Sequence, residues 1–93
     1  MIFMENNRIL SRNPDLLETT LDSEVVLMSI ERGSYYGMEK TAARIWQLLA
    51  QPKTRGELLQ ALVQQYDAPQ EIIAKDMDIF LQQMHDHGIV NFS

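Results

Sequence analysis

The spacing of apolar positions changes once along this chain, near residue 40. Before that point apolar and polar residues follow the period of two that marks strands. Glu24–Glu31 carries it most clearly, Val26, Met28 and Ile30 alternating with Val25, Leu27 and Ser29. Arg32-Gly33-Ser34 closes a hairpin in which Gly33 is free to take positive φ. Ser34–Met38 returns as a short strand, with Tyr36 and Met38 on the core-patterned face and Tyr35 and Gly37 on the other. Upstream, Arg8–Arg12 reads as a short strand and Asn13-Pro14-Asp15 as a turn. Leu16–Asp22 reads only as extended or irregular. Val25 and Leu27 then face outward, unless Ile2-Phe3-Met4 or a second copy of the chain covers them.

From Thr41 the period is helical. Ala42, Ile45, Trp46, Leu48 and Leu49 form one stripe, which Gln51-Pro52 ends. Trp46 is a core residue of that stripe whose indole N–H needs a partner. Thr54 and Glu57 have the spacing of a capping box, opening a second helix with Leu58, Leu59, Leu62 and Val63 that stops near Tyr66. Asp67-Ala68-Pro69 starts a third helix, which runs to about Asp86 and is capped by Gly88. Ile89–Phe92 can add a closing strand. The expected fold is α+β and winged helix-turn-helix-like, with a small three-stranded antiparallel sheet followed by three helices in a single domain over residues 1–93.

The third helix has two apolar stripes. Ile73, Met77, Phe80, Leu81 and Met84 make a core face at 100° per residue, with Phe80 at its border. Ile72, Asp76, Ile79 and Gln83 form a second stripe roughly 110° away. Either the core stripe is simply wide, or this flank lines a groove that holds a partner. The strand Ser34–Met38 adds to the second reading, because an unpaired edge without proline or lysine invites another strand. The alternative is that the N-terminal segment or a second copy covers that edge.

Charge narrows the partners. Eight Lys and Arg stand against thirteen Asp and Glu, a net charge of −5 spread evenly along the chain. The third helix, which in a DNA-binding winged helix enters the major groove, has Lys75 alone against Glu71, Asp76, Asp78 and Asp86. Nucleic acid and anionic membranes are therefore not the expected partners. With no cysteine, disulfides, thiolate zinc sites and cysteine nucleophiles are excluded. His85 and His87 stand two apart on the helix and face different sides, so no metal site and no cofactor is expected. There is no nucleophile, base and oxyanion set, hence no enzyme. The apolar runs fall short of a membrane span and the N-terminus lacks a secretory pattern, which leads to a cytoplasmic expectation.

The run from Gly33 through Tyr35-Tyr36-Gly37-Met38 to Ile45-Trp46-Gln47-Leu48-Leu49 resembles the signature stretch of PqqD-like proteins: a glycine turn, a tyrosine-bearing strand and an Ile-Trp-x-Leu-Leu helix core. Pro52, Thr54, Glu57-Leu58, Leu62, Tyr66 and the terminal His87-Gly88-Ile89-Val90 fit the same layout, so the resemblance spans roughly Glu24–Asn91. Ala43 departs from the frequent glycine, a change a helix interior favours. The resemblance implies a peptide-recognition element for ribosomally made, post-translationally modified peptides. It binds the leader segment of a precursor peptide, which pairs with Ser34, Tyr35, Tyr36, Gly37 and Met38 and lies against Ile72, Lys75, Asp76, Ile79, Phe80 and Gln83. Lys75 is either a partner for a leader carboxylate or simply solvated. The free-standing, acidic chain is most similar to the leader-binding proteins of lasso-peptide biosynthesis, whose partners are the leader and a leader peptidase. A peptide chaperone for a radical SAM enzyme, as in pyrroloquinoline quinone biosynthesis, is the alternative, with a DNA-binding winged helix behind it. Homodimerisation stays open.

Overall fold

A computed structural model describes residues 4–93. In chain order it has strands β1 (Ile9–Arg12), β2 (Leu17–Leu21), β3 (Glu24–Ser29) and β4 (Ser34–Met38), helix α1 (Thr41–Leu48), strand β5 (Lys53–Thr54), helices α2 (Arg55–Gln65) and α3 (Gln70–Asp86), and strand β6 (Val90–Phe92). The strands form two antiparallel sheets, β2-β3-β4 and β5-β1-β6.

The expected three-stranded antiparallel sheet is present, but its first strand is β2 rather than β1. Leu17–Leu21, which read as irregular, pairs along its whole length with β3 through the two-residue turn Asp22-Ser23. Asp22 takes φ 56°, a left-handed position that a short polar side chain tolerates without glycine. β1 instead collects β6 and β5, which brings the chain's two ends together. β3 stops at Ser29, two residues earlier than its alternation suggested, and Gly33 supplies the turn at φ 63°.

On β4, Tyr36 and Met38 face inward as expected, but on β3 the inward face is the reverse of the expected one. Hairpin register sets Val25 opposite Met38 and Leu27 opposite Tyr36, so these four share the inward face. Val25 and Leu27 are buried by the protein's own core, with no need of a second chain. Of the N-terminal cover proposed for them, Met4 is buried in that core, while Ile2 and Phe3 lie outside the described residues.

The helices form where the pattern placed them. The Thr54 hydroxyl accepts from the Glu57 N–H at 3.2 Å and Glu57 returns the bond to the Thr54 N–H at 2.9 Å. That N–H, before any other cause, holds the Glu57 carboxyl below its ordinary pKa. Gly88 takes φ 74° past the end of α3, and Ile89 N–H reaches back to the Met84 carbonyl at 2.8 Å. Pro69 sits one residue before α3 rather than within its first turn. Leu58, Leu62, Met77, Leu81 and Met84 are buried between helices and sheets, each stabilising the fold by roughly 1.5–3 kcal/mol. Trp46 is buried, and its Nε1–H donates to Glu18 Oε1 at 2.8 Å while the Arg12 guanidinium lies 4.2 Å above the ring. The partner its indole required comes from β2.

Candidate functional site

β4 is an edge strand: β3 pairs with one side of it, and no described residue pairs with the other. β2 is the opposite edge of the same sheet. In the middle of β4 the inward-facing Tyr36 ring lies 5.4 Å from that of His87, the residue that follows α3. Beyond the end of β4, Thr41 lines a groove with Ile72, Ile73 and Asp76 from the first turns of α3.

The groove holds about 360 Å³. Besides those residues, Ala42 and Ile45 of α1, Leu62 and Tyr66 at the end of α2, and Phe80 of α3 face it. Asp76 is its one charged side chain. The volume lies within the ~300–1,000 Å³ of ligand sites, and an apolar lining with one placed polar group suits an apolar side chain on a peptide.

Of the sequence-derived site residues, the groove brings together Ile72, Asp76 and Phe80. Ile79 and Gln83 are exposed on the same stripe further along the helix and do not line it. Lys75 is exposed outside the groove lining, and at 100° per residue it points away from the core face of α3. Ile72 and Ile79 are each about half exposed, at 52% and 51%. On β4, Ser34, Tyr35 and Gly37 are exposed, Tyr36 is half-buried and Met38 is buried. Met38 can therefore meet a partner only through its main chain. Gly37 faces outward beside Glu24, whose Oε1 would stand 3.2 Å from an added Cβ.

Sequence reasoning missed Thr41, Tyr66 and Ala68 as groove residues and assigned Ala42, Ile45 and Leu62 to the core alone. Those residues sit on core stripes, and only the splay between helices opens part of each stripe to solvent. Among the described residues there is no group of three or more His, Cys, Asp or Glu that could hold a metal, and no helix long and apolar enough to cross a membrane.

Two solved structures share this architecture. One is TbiB1 in complex with the TbiA(beta) leader peptide, 25% identical with a TM-score of 0.77, covering 85% of this chain and 93% of that one. The other is a lasso peptide synthetase B1 complexed with the leader peptide, 20% identical with a TM-score of 0.74, covering 88% of this chain and 96% of that one. The second likeness is one of fold. Among curated proteins, none matches this chain in sequence. The PqqD family, described as coenzyme PQQ synthesis protein D, matches residues 24–90, from β3 through α3 into β6, and the chain belongs to that family.

Proposed function

We propose that this protein binds the leader segment of a ribosomally made precursor peptide, of the lasso class, by adding it as a further strand to β4. The observation that carries this is an open β4 edge in a domain that also holds a preformed apolar groove, which begins at Thr41 three residues after that strand and is walled by α3. The protein is a non-catalytic, cytoplasmic carrier. The added strand is gripped from one face by α3 and stays open on the other, where a processing leader peptidase reaches it. The leader-bound state of the two similar structures supports this reading. The family's description supports a second: delivery of a precursor to a radical SAM enzyme through the same edge and groove.

Magnitudes say which contacts decide affinity. A five-residue edge offers only a few main-chain bonds, each worth about 0.5–1.5 kcal/mol net. Micromolar binding needs about 8 kcal/mol after the cost of association. The side chains that enter the groove must supply the difference.

The test is an anisotropy titration with a dye-labelled leader segment from a precursor gene adjacent to this one, with duplex DNA at two salt concentrations as control. Saturable peptide binding between nanomolar and micromolar is expected, about −12 to −8 kcal/mol. Ile72→Asp and Ile79→Asp should each weaken it at least tenfold, since a carboxylate is forced against apolar contacts, and leave the melting temperature unchanged. Early melting of both variants would return the stripe to the core. Salt-sensitive DNA binding without peptide binding sinks the proposal.

A further inference from the structure

The sheet's other open edge belongs to β2. β3 pairs with one side of Leu17–Leu21, and no described residue pairs with the other. All five residues are exposed, Leu17 and Leu21 at 52% and 62%. The strand holds neither the proline nor the lysine that commonly keeps an edge unpaired. We propose that this edge pairs with the same edge of a second copy, about a two-fold axis through Thr19, and joins the two three-stranded sheets into one. The inference does not depend on peptide binding, and it leaves β4, on the far side of each sheet, open in both copies.

The main chain restricts the register. β2 and β3 join through the two-residue turn Asp22-Ser23, and the residues flanking such a turn exchange both main-chain bonds. Leu21, Thr19 and Leu17 therefore bond to β3, while Glu18 and Thr20 turn their N–H and C=O groups to the free side. A strand added there must set Glu18 and Thr20 opposite residues that also face outward. Antiparallel to itself, β2 meets that condition about Glu18, Thr19 or Thr20. An axis at Glu18 places the two Glu18 carboxylates opposite each other. An axis at Thr20 sets Glu18 against Asp22 of the second copy. Both oppose like charges, which destabilises a strand pair. Only the axis at Thr19 sets Glu18 against a neutral donor, Thr20 of the second copy.

The side chains suit that register on both faces. Glu18 accepts the Trp46 Nε1–H at 2.8 Å, and its carboxylate keeps lone pairs for the Thr20 hydroxyl of the second copy. On the outward face Leu17 lies opposite Leu21 of the second copy, and Thr19 lies opposite its own counterpart. These are the non-hydrogen-bonded positions, where facing side chains approach most closely. Each exposed leucine thus covers the other.

The chain has no cysteine, so single cysteines on β2 read the register directly. Thr19→Cys faces itself across the axis at a Cα separation of about 4.5 Å and should close a disulfide between copies under mild oxidation. Leu17→Cys and Leu21→Cys each stand about 14 Å from their own counterparts and should not cross-link alone, whereas a mixture of the two should. Sedimentation of the native chain from about 10 µM to 1 mM should show monomer and dimer in equilibrium. Thr20→Pro removes an outward N–H and no bond to β3, so it should weaken the dimer at least tenfold and leave the melting temperature unchanged. A monomer throughout that range overturns the proposal. A dimer untouched by Thr20→Pro overturns it too, as does Leu17→Cys cross-linking alone as readily as Thr19→Cys, or a mixture that fails to cross-link. If Thr20→Pro does not fold, the cysteine pattern decides.

Discussion

Gly33 and Gly88 share a left-handed backbone, at φ 63° and 74°, but their surroundings differ. A Cβ on Gly33 would meet open space, whereas one on Gly88 would stand 3.0 Å from the Arg32 guanidinium carbon. Alanine at Gly33 should therefore cost only the left-handed penalty, about 1 kcal/mol. At Gly88 the same change should cost somewhat more, about 1–2 kcal/mol, because the end of the Arg32 side chain must also shift and its 3.3 Å bond to the Asp86 carbonyl is weakened. Thermal unfolding followed by Trp46 fluorescence checks both, with roughly 4–8 °C expected per kcal/mol in a domain of this size. Trp46 suits that purpose because it is buried against Arg12 and Glu18, so its emission reports the fold. Equal shifts for the two variants would mean that Arg32 gives way freely.

Between elements, the bond that sets α2 against α3 is a fork. Arg55 Nε and Nη2 donate to Asp78 Oδ1 and Oδ2 at 2.8 and 2.7 Å, and Nη1 reaches Asn6 Oδ1 at 2.6 Å. The side chains are only 12% and 25% exposed, so this pair is screened far less than a surface bridge. The hydrogen bonds that Arg55 donates to Asp78 hold the guanidinium pKa above its usual value. Arg55→Ala should lower stability by about 2 kcal/mol, between the surface and fully buried cases. Arg55→Lys should recover less than half of that in chemical denaturation, since an ammonium cannot fork. Full recovery by lysine would reduce the interaction to a point charge. Because α3 forms one wall of the groove, both variants should also weaken leader binding modestly.

For the molecule as a whole, the open edge and the outward face of the β2-β3-β4 sheet raise the question of self-association. Leu17, Leu21 and Tyr35 are exposed on that face, and Ile30 is exposed in the adjoining turn. Unpaired edges of this kind promote pairing between copies. If β4 is the peptide site, a second copy on that edge and a leader peptide are mutually exclusive. Sedimentation at rising protein concentration should show any contact between copies through β4 dissolving when leader is saturating. A dimer that persists with peptide bound would place its interface elsewhere, on the β2 edge.

The helices, the Thr54–Glu57 box, the Gly88 cap, the β3–β4 hairpin and the exposed Ile72–Ile79 stripe could all be read from residue order. Each depends on groups within a turn or two of one another, where period and capping chemistry act locally. The pairing of β1 with β5 and β6, the strand character of Leu17–Leu21 and the inward turn of Val25 and Leu27 could not. Strand partners are chosen across long stretches of chain. In β3 both faces are apolar, so a period of two cannot say which is inside. The register with Met38 and Tyr36 settles that, once helices lie on one side of the sheet. The site divides the same way: an acidic third helix is a property of the residue order, and it points away from DNA, whereas the open β4 edge is decided by strand pairing. The groove exists only where Tyr66, Leu62, Ala42 and Thr41 meet Ile72 and Phe80, because a cavity is space left between elements and belongs to none of them alone.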